Sequence, residues 1–131
     1  MPTEAEAHLI EAATRVLASR HAHPDHTVAA AGRDADGRIF VGVNVSHFTG
    51  GPCAEMVVMG AAAAASAAPL ELIVAVGDEG RGVLSPCGKC RQMLSDYFPA
   101  LHVLVPGEGG PVAVPIRELL PQPYVRNAHR R

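Results

Sequence analysis

"PLELIVAVGDEGRGVLSPCGKCRQMLSDYFPALHVLVP", residues 69–106, decides the fold. Its first part, "LELIVAVG", is a continuous apolar run, the pattern of a strand buried on both faces. After "DEGRGVLS", Pro86 stands near a helix start, and "CGKCRQMLSDYF" continues as a helix that Pro99 ends. "LHVLVP" then reads as a second strand. A strand, a helix and another strand follow one another with no long linker, which points to a sheet covered by helices.

The flanking sequence extends the pattern. Upstream, Ala5, Leu9, Ala12, Ala13, Val16 and Leu17 recur at helical spacing, with acids early and arginines late, predicting a helix over about Thr3 to Ser19. "TVAAAGRDADGRIFVGVNV" predicts two strands about Asp36-Gly37, a turn pair suited to a tight hairpin, the second strand ending near Asn44 to Ser46. Cys53 to Ala68 predicts a long Ala-rich helix. Its run "AAAAASAA" is better suited to close helix packing, including packing across a subunit interface, than to a disordered linker. Downstream, "PVAVPI" predicts a short last strand and "IRELLP" a brief helix. The expectation is one domain over residues 1–131, an α/β fold of three α/β/α layers with one central mixed five-stranded sheet. Residues 121–131 would form a C-terminal tail closing the site.

Composition narrows the function classes. The chain has 131 residues, 48% hydrophobic, and a formal net charge of -2 with a pI near 6.4. One hydrophobic core needs no disulfide help at this length. No basic field is available for non-specific nucleic-acid binding, so a small, near-neutral partner is expected. The start "MPTEAEAHLI" lacks the basic and apolar regions of a signal peptide, and no apolar stretch could cross a bilayer. A cytoplasmic location is expected, with no membrane partner. Three cysteines cannot all pair within one chain, so metal binding or catalysis is the better reading.

Two segments carry chemistry: "PCAE", residues 52–55, and "PCGKC", residues 86–90. Each places Pro-Cys at a predicted helix start. Cys87 and Cys90 lie on one helix face a turn apart. Alone, such a pair is a redox motif, a zinc knuckle or chance. Cys53 changes the balance, because a closed structural zinc site takes four protein ligands and a catalytic one takes three with a position left open. Glu55 stands beside the first cysteine, where a carboxylate could carry a proton. Helix N-termini favour thiolate over thiol. Three thiolates on Zn2+ leave a charge near -1, which Lys89 and Arg91 could offset from beside Cys90, the alternative being a solvated helix face.

Cysteine before x-Glu with a later Pro-Cys-x-x-Cys resembles the signature of zinc deaminases. The chain resembles the cytidine deaminase superfamily and, within it, most closely the blasticidin S deaminases, over most of its length. The likeness is carried by "DGRIFVGVNVSHFTGGPCAE", "RGVLSPCGKCRQ" and "IRELLPQPYV", in that order and at matching separations. The resemblance implies a homotetramer with one Zn2+ per subunit on Cys53, Cys87 and Cys90. It implies hydrolytic loss of ammonia from an aminopyrimidine, with Glu55 the proton shuttle. The backbone N–H of Ala54 would hold the ring carbonyl oxygen and the carbonyl of Ser85 would accept from the amino group.

By the same resemblance Asn44 would reach a sugar or its substitute, Arg81 an acidic part of the substrate, and Tyr124 would close the pocket. The bland alternatives are a strand-end cap, a solvated loop residue and a tail anchor. Thr27 occupies a substrate-side position, and His47 and Phe48 stand where they could line the site mouth. Ser46 stands where nucleoside-type cytidine deaminases carry a ribose-gripping glutamate. Met56 replaces their arginine, as an apolar residue does in the blasticidin branch. Against that branch, no tryptophan follows "YV", Thr27 replaces a serine and Lys89 an arginine. Free or modified bases are therefore an alternative substrate class. A structural zinc module is an alternative of another kind, and a Cys87-Cys90 redox pair a third. "RHAHPDH", with His21, His23 and His26, reads as a polar loop and not a second metal site.

Overall fold

A computed structural model of the chain describes residues 1–21 and 23–126, so residues 127–131 of the expected tail lie outside the described residues. The element order is α1 (Glu4–Ser19), β1 (Val28–Asp34), β2 (Ile39–Val43), α2 (Ala54–Ala64), β3 (Leu70–Gly77), β4 (Gly82–Leu84), α3 (Gly88–Tyr97), β5 (His102–Val105), β6 (Val112–Pro115) and α4 (Ile116–Leu119).

The strands form one mixed sheet in the order β2-β1-β3-β5-β6, with β4 paired to β3 off this path. β3 and β5 run parallel, and every other pair is antiparallel. Parallel neighbours need a crossover, and α3 lies in the connection that supplies it. The five expected strands are present. β4 is an addition: three residues beside glycines carry no readable periodicity.

Period-two alternation sorts the side chains into two layers. Ala29, Ala31, Leu72, Val74, Val76 and Leu104 pack with Leu9, Ala13 and Leu17 of α1. Ala30, Ile73, Ala75, Val103 and Val105 pack on the other face with Val58 and Met59 of α2 and Leu94 of α3. β3 is therefore buried on both faces, as its apolar run implies. α1 begins on a capping box in which Thr3 accepts from the Glu6 N–H while Glu6 accepts from the Thr3 N–H.

α2 is shorter than its sequence suggests, ending at Ala64 instead of Ala68. Alanine propensity would carry the helix on, but Ser66 turns left-handed at φ 55° and the Ala68 N–H is taken by Asp34 Oδ2 at 3.2 Å. A tertiary contact overrides a local preference. The β1-β2 hairpin also differs from a two-residue turn. The Gly37 N–H reaches the Asp34 carbonyl at 2.9 Å and Gly37 takes φ 87°, so a turn followed by a left-handed residue links the strands.

Asp34 fastens this corner. It is fully buried, Oδ1 accepts from the N–H groups of Asp36 (3.0 Å) and Arg38 (2.8 Å), and Oδ2 accepts from Arg38 Nε (3.2 Å) and Ala68 N. Burial pushes its pKa upward, but these hydrogen bonds to the ionised form outweigh it and hold the carboxyl below its ordinary value.

Candidate active site and metal centre

Both Pro-Cys pairs sit where the sequence places them, at helix starts. Cys53 is the N-cap of α2 and Cys87 the N-cap of α3, and Cys90 lies in the first turn of α3. Both caps are extended, Cys53 at φ -69° and ψ 158° and Cys87 at φ -70° and ψ 167°, the backbone of an N-cap, so each helix begins directly after its cysteine. The approach to Cys53 depends on close backbone packing. The Val45 N–H donates to the Pro52 carbonyl at 3.0 Å, and a Cβ on Gly51 would stand 1.6 Å from the Val45 carbonyl oxygen. Only glycine fits there.

The three sulfurs lie within 4.8 Å of one another, and those of Cys53 and Cys87 are 3.8 Å apart. For Zn–S bonds of about 2.3 Å, a tetrahedral edge is about 3.8 Å. The donor set therefore fits zinc, with three thiols and room for a fourth ligand. Cys90 is buried, Cys53 half-buried and Cys87 exposed, so the open side of the cluster faces solvent.

The thiols are electrostatically unequal. Burial pushes Cys87 up, yet the N–H groups of Cys90 and Lys89 and the neighbouring thiols stabilise its thiolate and bring it below its usual value. At Cys53 burial prevails and the pKa is raised, contrary to the helix-end effect expected there. Cys90 is raised strongly, by burial and then by the charge of Glu55. Glu55, only 6% exposed, is pushed up by burial, partly offset by its own N–H and the Cys90 thiol. A carboxyl held toward its neutral form beside a metal site is suited to taking and returning a proton.

A cavity of about 160 Å3 opens beside the cluster, lined by Val28, Asn44, Cys53, Ala54, Glu55, Ala75, Leu84, Ser85 and Cys87. The structure thus unites Asn44, Ala54, Glu55 and Ser85 with two of the cysteines. The apolar walls Val28, Ala75 and Leu84 are additions. Period-two alternation could have placed Val28 and Ala75 on the face toward α2, as it does Ala30.

The remaining candidates stand outside this lining. The Thr27 carbonyl accepts from Arg81 Nη2 and from the Asp78 N–H, both at 3.0 Å, and Arg81 Nη2 also meets Asp78 Oδ1 at 2.9 Å. Phe48 is 94% exposed against the His47 ring, 4.4 Å between centroids. Tyr124 is 72% exposed, its carbonyl accepting from Gln92 Nε2 at 2.9 Å. Lys89 is exposed. Arg91 donates from Nε to the Pro86 carbonyl (2.8 Å) and from Nη1 to the Leu119 carbonyl (3.1 Å), bracing the turn before Cys87.

Comparison with known proteins agrees with this geometry. Residues 3–103 match the family described as the cytidine and deoxycytidylate deaminase zinc-binding region. The chain is 35% identical over 128 residues to a blasticidin-S deaminase of Bacillus cereus, covering 91% of each chain. It superposes on a cytidine deaminase structure from Mycobacterium leprae with a TM-score of 0.72 at 32% identity, covering 88% of this chain and 97% of the other. For the cytidine deaminase of Mycobacterium tuberculosis the TM-score is 0.76 at 28% identity, covering 92% and 97%. With its fold, its three-thiol cluster and these matches, the chain belongs to the cytidine and deoxycytidylate deaminase zinc-binding family, hydrolytic deaminases that act on C–N bonds.

Proposed function

We propose that the protein deaminates a small aminopyrimidine nucleoside or nucleoside antibiotic of the cytidine or blasticidin S type, releasing ammonia. The observation that carries this reading is Glu55 beside the three thiols in a cavity of about 160 Å3, the scale of one heterocyclic ring. In this reading Cys53, Cys87 and Cys90 hold one zinc ion per subunit. Zinc bound there supplies Lewis acidity that makes water a nucleophile near neutral pH.

The residues of the chain do the rest. Glu55 takes the proton of the attacking water and passes it to the ring nitrogen beside the reacting carbon. It then takes the second proton from the newly attached hydroxyl and delivers it to the amino group, so that the new C–O bond becomes a carbonyl, the C–N bond breaks and ammonia leaves. The Ala54 N–H holds the ring carbonyl oxygen, and the Ser85 carbonyl accepts from the amino group before it departs. Val28, Ala75 and Leu84 exclude water around the ring. Asn44, Thr27, Arg81, Phe48 and Tyr124 serve the substrate beyond the ring, with residues 121–131 as a closing tail. Lys89 and Arg91 temper the charge of the thiolates.

A second substrate class is favoured by one feature. Ser46, which is exposed and carries no carboxylate, stands where a ribose grip would need one, so free or modified bases could enter without a sugar. Ammonia release across blasticidin S, cytidine, deoxycytidine, cytosine, aza analogues and aminopurines separates the two. Turnover of cytosine above cytidine would favour bases, and no release from any of them would end the deaminase reading.

One domain over residues 1–131, assembled as a homotetramer, completes the proposal. It is supported by an apolar groove of about 500 Å3 along α2 and α3, lined by Met56, Met59, Ala63, Met93 and Phe98 among others. A patch of this kind marks a contact surface, and light scattering gives the subunit number. Free thiols accord with a cytoplasmic location. Among the described residues no helix is long and apolar enough to cross a membrane. The net charge of -2 accords with a small-molecule partner in place of nucleic acid.

A further inference from the structure

Asn44 is the polar side chain that faces the cavity from the sheet side, and its orientation is set by chemistry. Its Oδ1 accepts from the N–H groups of Thr27 (2.8 Å) and Val28 (3.0 Å). An amide nitrogen could not take that place, so Nδ2 must occupy the other side, with Thr27 Oγ1 at 3.5 Å. Asn44 thus meets a substrate as a donor.

Its backbone is just as constrained. Asn44 follows the last residue of β2, and its N–H closes the strand on the Val28 carbonyl at 3.0 Å. Beyond it the chain leaves the sheet, with the Ser46 N–H on the Asp25 carbonyl at 3.2 Å. The Asn44 carbonyl lies past the last β1-β2 pair, Ala29 with Val43, and is met by His26 Nδ1 at 2.7 Å, in a part-buried setting. A carbonyl only accepts, so Nδ1 carries the proton and the tautomer is fixed. His26 is itself held in a turn: its N–H reaches the His23 carbonyl at 3.2 Å and the two rings lie 5.3 Å apart. Among the described residues the cysteine trio is the one group able to hold a metal, and these histidines do not form a second.

We infer that His26 is a positioning residue, whose Nδ1–H holds the strand exit that aims the Asn44 amide at the substrate. This rests on the deaminase reading above and adds to it a residue outside the cavity lining, joined to it through the Asn44 carbonyl. Losing one such hydrogen bond costs about three- to tenfold. The cost falls on binding of the ground state and the transition state alike, and so on KM.

The test compares His26→Leu, His26→Asn and His26→Gln in the zinc-loaded protein. Asparagine puts an amide nitrogen near the Nδ1 position, and glutamine near Nε2. With whichever compound of the panel above is turned over, His26→Leu and His26→Gln should raise KM about three- to tenfold with kcat within about twofold, and His26→Asn should restore KM. An unchanged KM, a loss confined to kcat, or His26→Asn behaving like His26→Leu would overturn the inference. If His26→Leu fails to fold, the Asn and Gln pair decides by the same criteria. Should the wild type release no ammonia from any compound of the panel above, the deaminase reading fails, and the 15N-resolved side-chain amide signal of Asn44 judges His26 alone. That signal should shift in His26→Gln and return in His26→Asn; an unmoved signal overturns the inference.

Discussion

Cys53 and Cys87 each cap the N-terminus of a different helix, and although 34 positions separate them their sulfurs lie 3.8 Å apart. Two helix ends therefore converge on one point beside β3. Because Cys53 and Cys90 are raised by burial, they remain protonated in the metal-free protein and must release protons when zinc binds. Apparent zinc affinity should rise steadily from about pH 6 to pH 8. Competition with a chromophoric chelator measures it, and a pH-independent affinity would contradict the thiol ligand set. Cys87→Ser should weaken binding sharply at every pH.

Glu55→Gln keeps size and removes the titrating proton. Turnover should fall about 10²–10⁴-fold, while zinc content and the melting temperature stay close to wild type. Metal analysis beside an ammonia assay makes the check. Unchanged turnover with zinc retained would assign Glu55 to capping α2 and favour a structural metal.

Gly51→Ala would force a methyl group to within 1.6 Å of the Val45 carbonyl unless the backbone moves. The expected loss is about 1–3 kcal/mol of stability, read by denaturant unfolding. Zinc binding should weaken as well, since the displaced backbone leads directly to Cys53.

Asp34→Asn tests the buried corner. The folded-state pKa is depressed below 3.8, so the ionised carboxylate contributes stability above that pH, and the contribution is lost as pH falls through the folded-state value. The wild type should exceed Asp34→Asn in melting temperature most at neutral pH. The gap should narrow below about pH 4, and a constant gap would show that ionisation plays no part.

The layers of the fold were legible because local signals agree with tertiary needs. "LELIVAVG" has no polar face because β3 is covered on both sides, and Thr3 with Glu6 marks the start of α1 by hydrogen bonds three residues apart. Where the signals disagreed, the distant contact prevailed. Alanines past Ala64 favour helix, yet the Ala68 N–H is claimed by Asp34, and β4 exists only because β3 offers it an edge.

The site divides in the same way. Cysteine and glutamate types at fixed short spacings reveal which groups could hold zinc and carry a proton, since "PCAE" and "PCGKC" each place their groups within one helical turn. The sequence by itself determined the layers, the donor set and the family resemblance. Only the tertiary structure decided that the two segments meet, that burial raises Cys53 in spite of its helix end, and that Arg91 braces backbone carbonyls. It also brought Val28, Ala75 and Leu84 to the cavity and His26 to the Asn44 carbonyl. The physical reason is that spacing along the chain sets which face a residue occupies, whereas burial and long-range hydrogen bonding depend on which elements the sheet brings side by side.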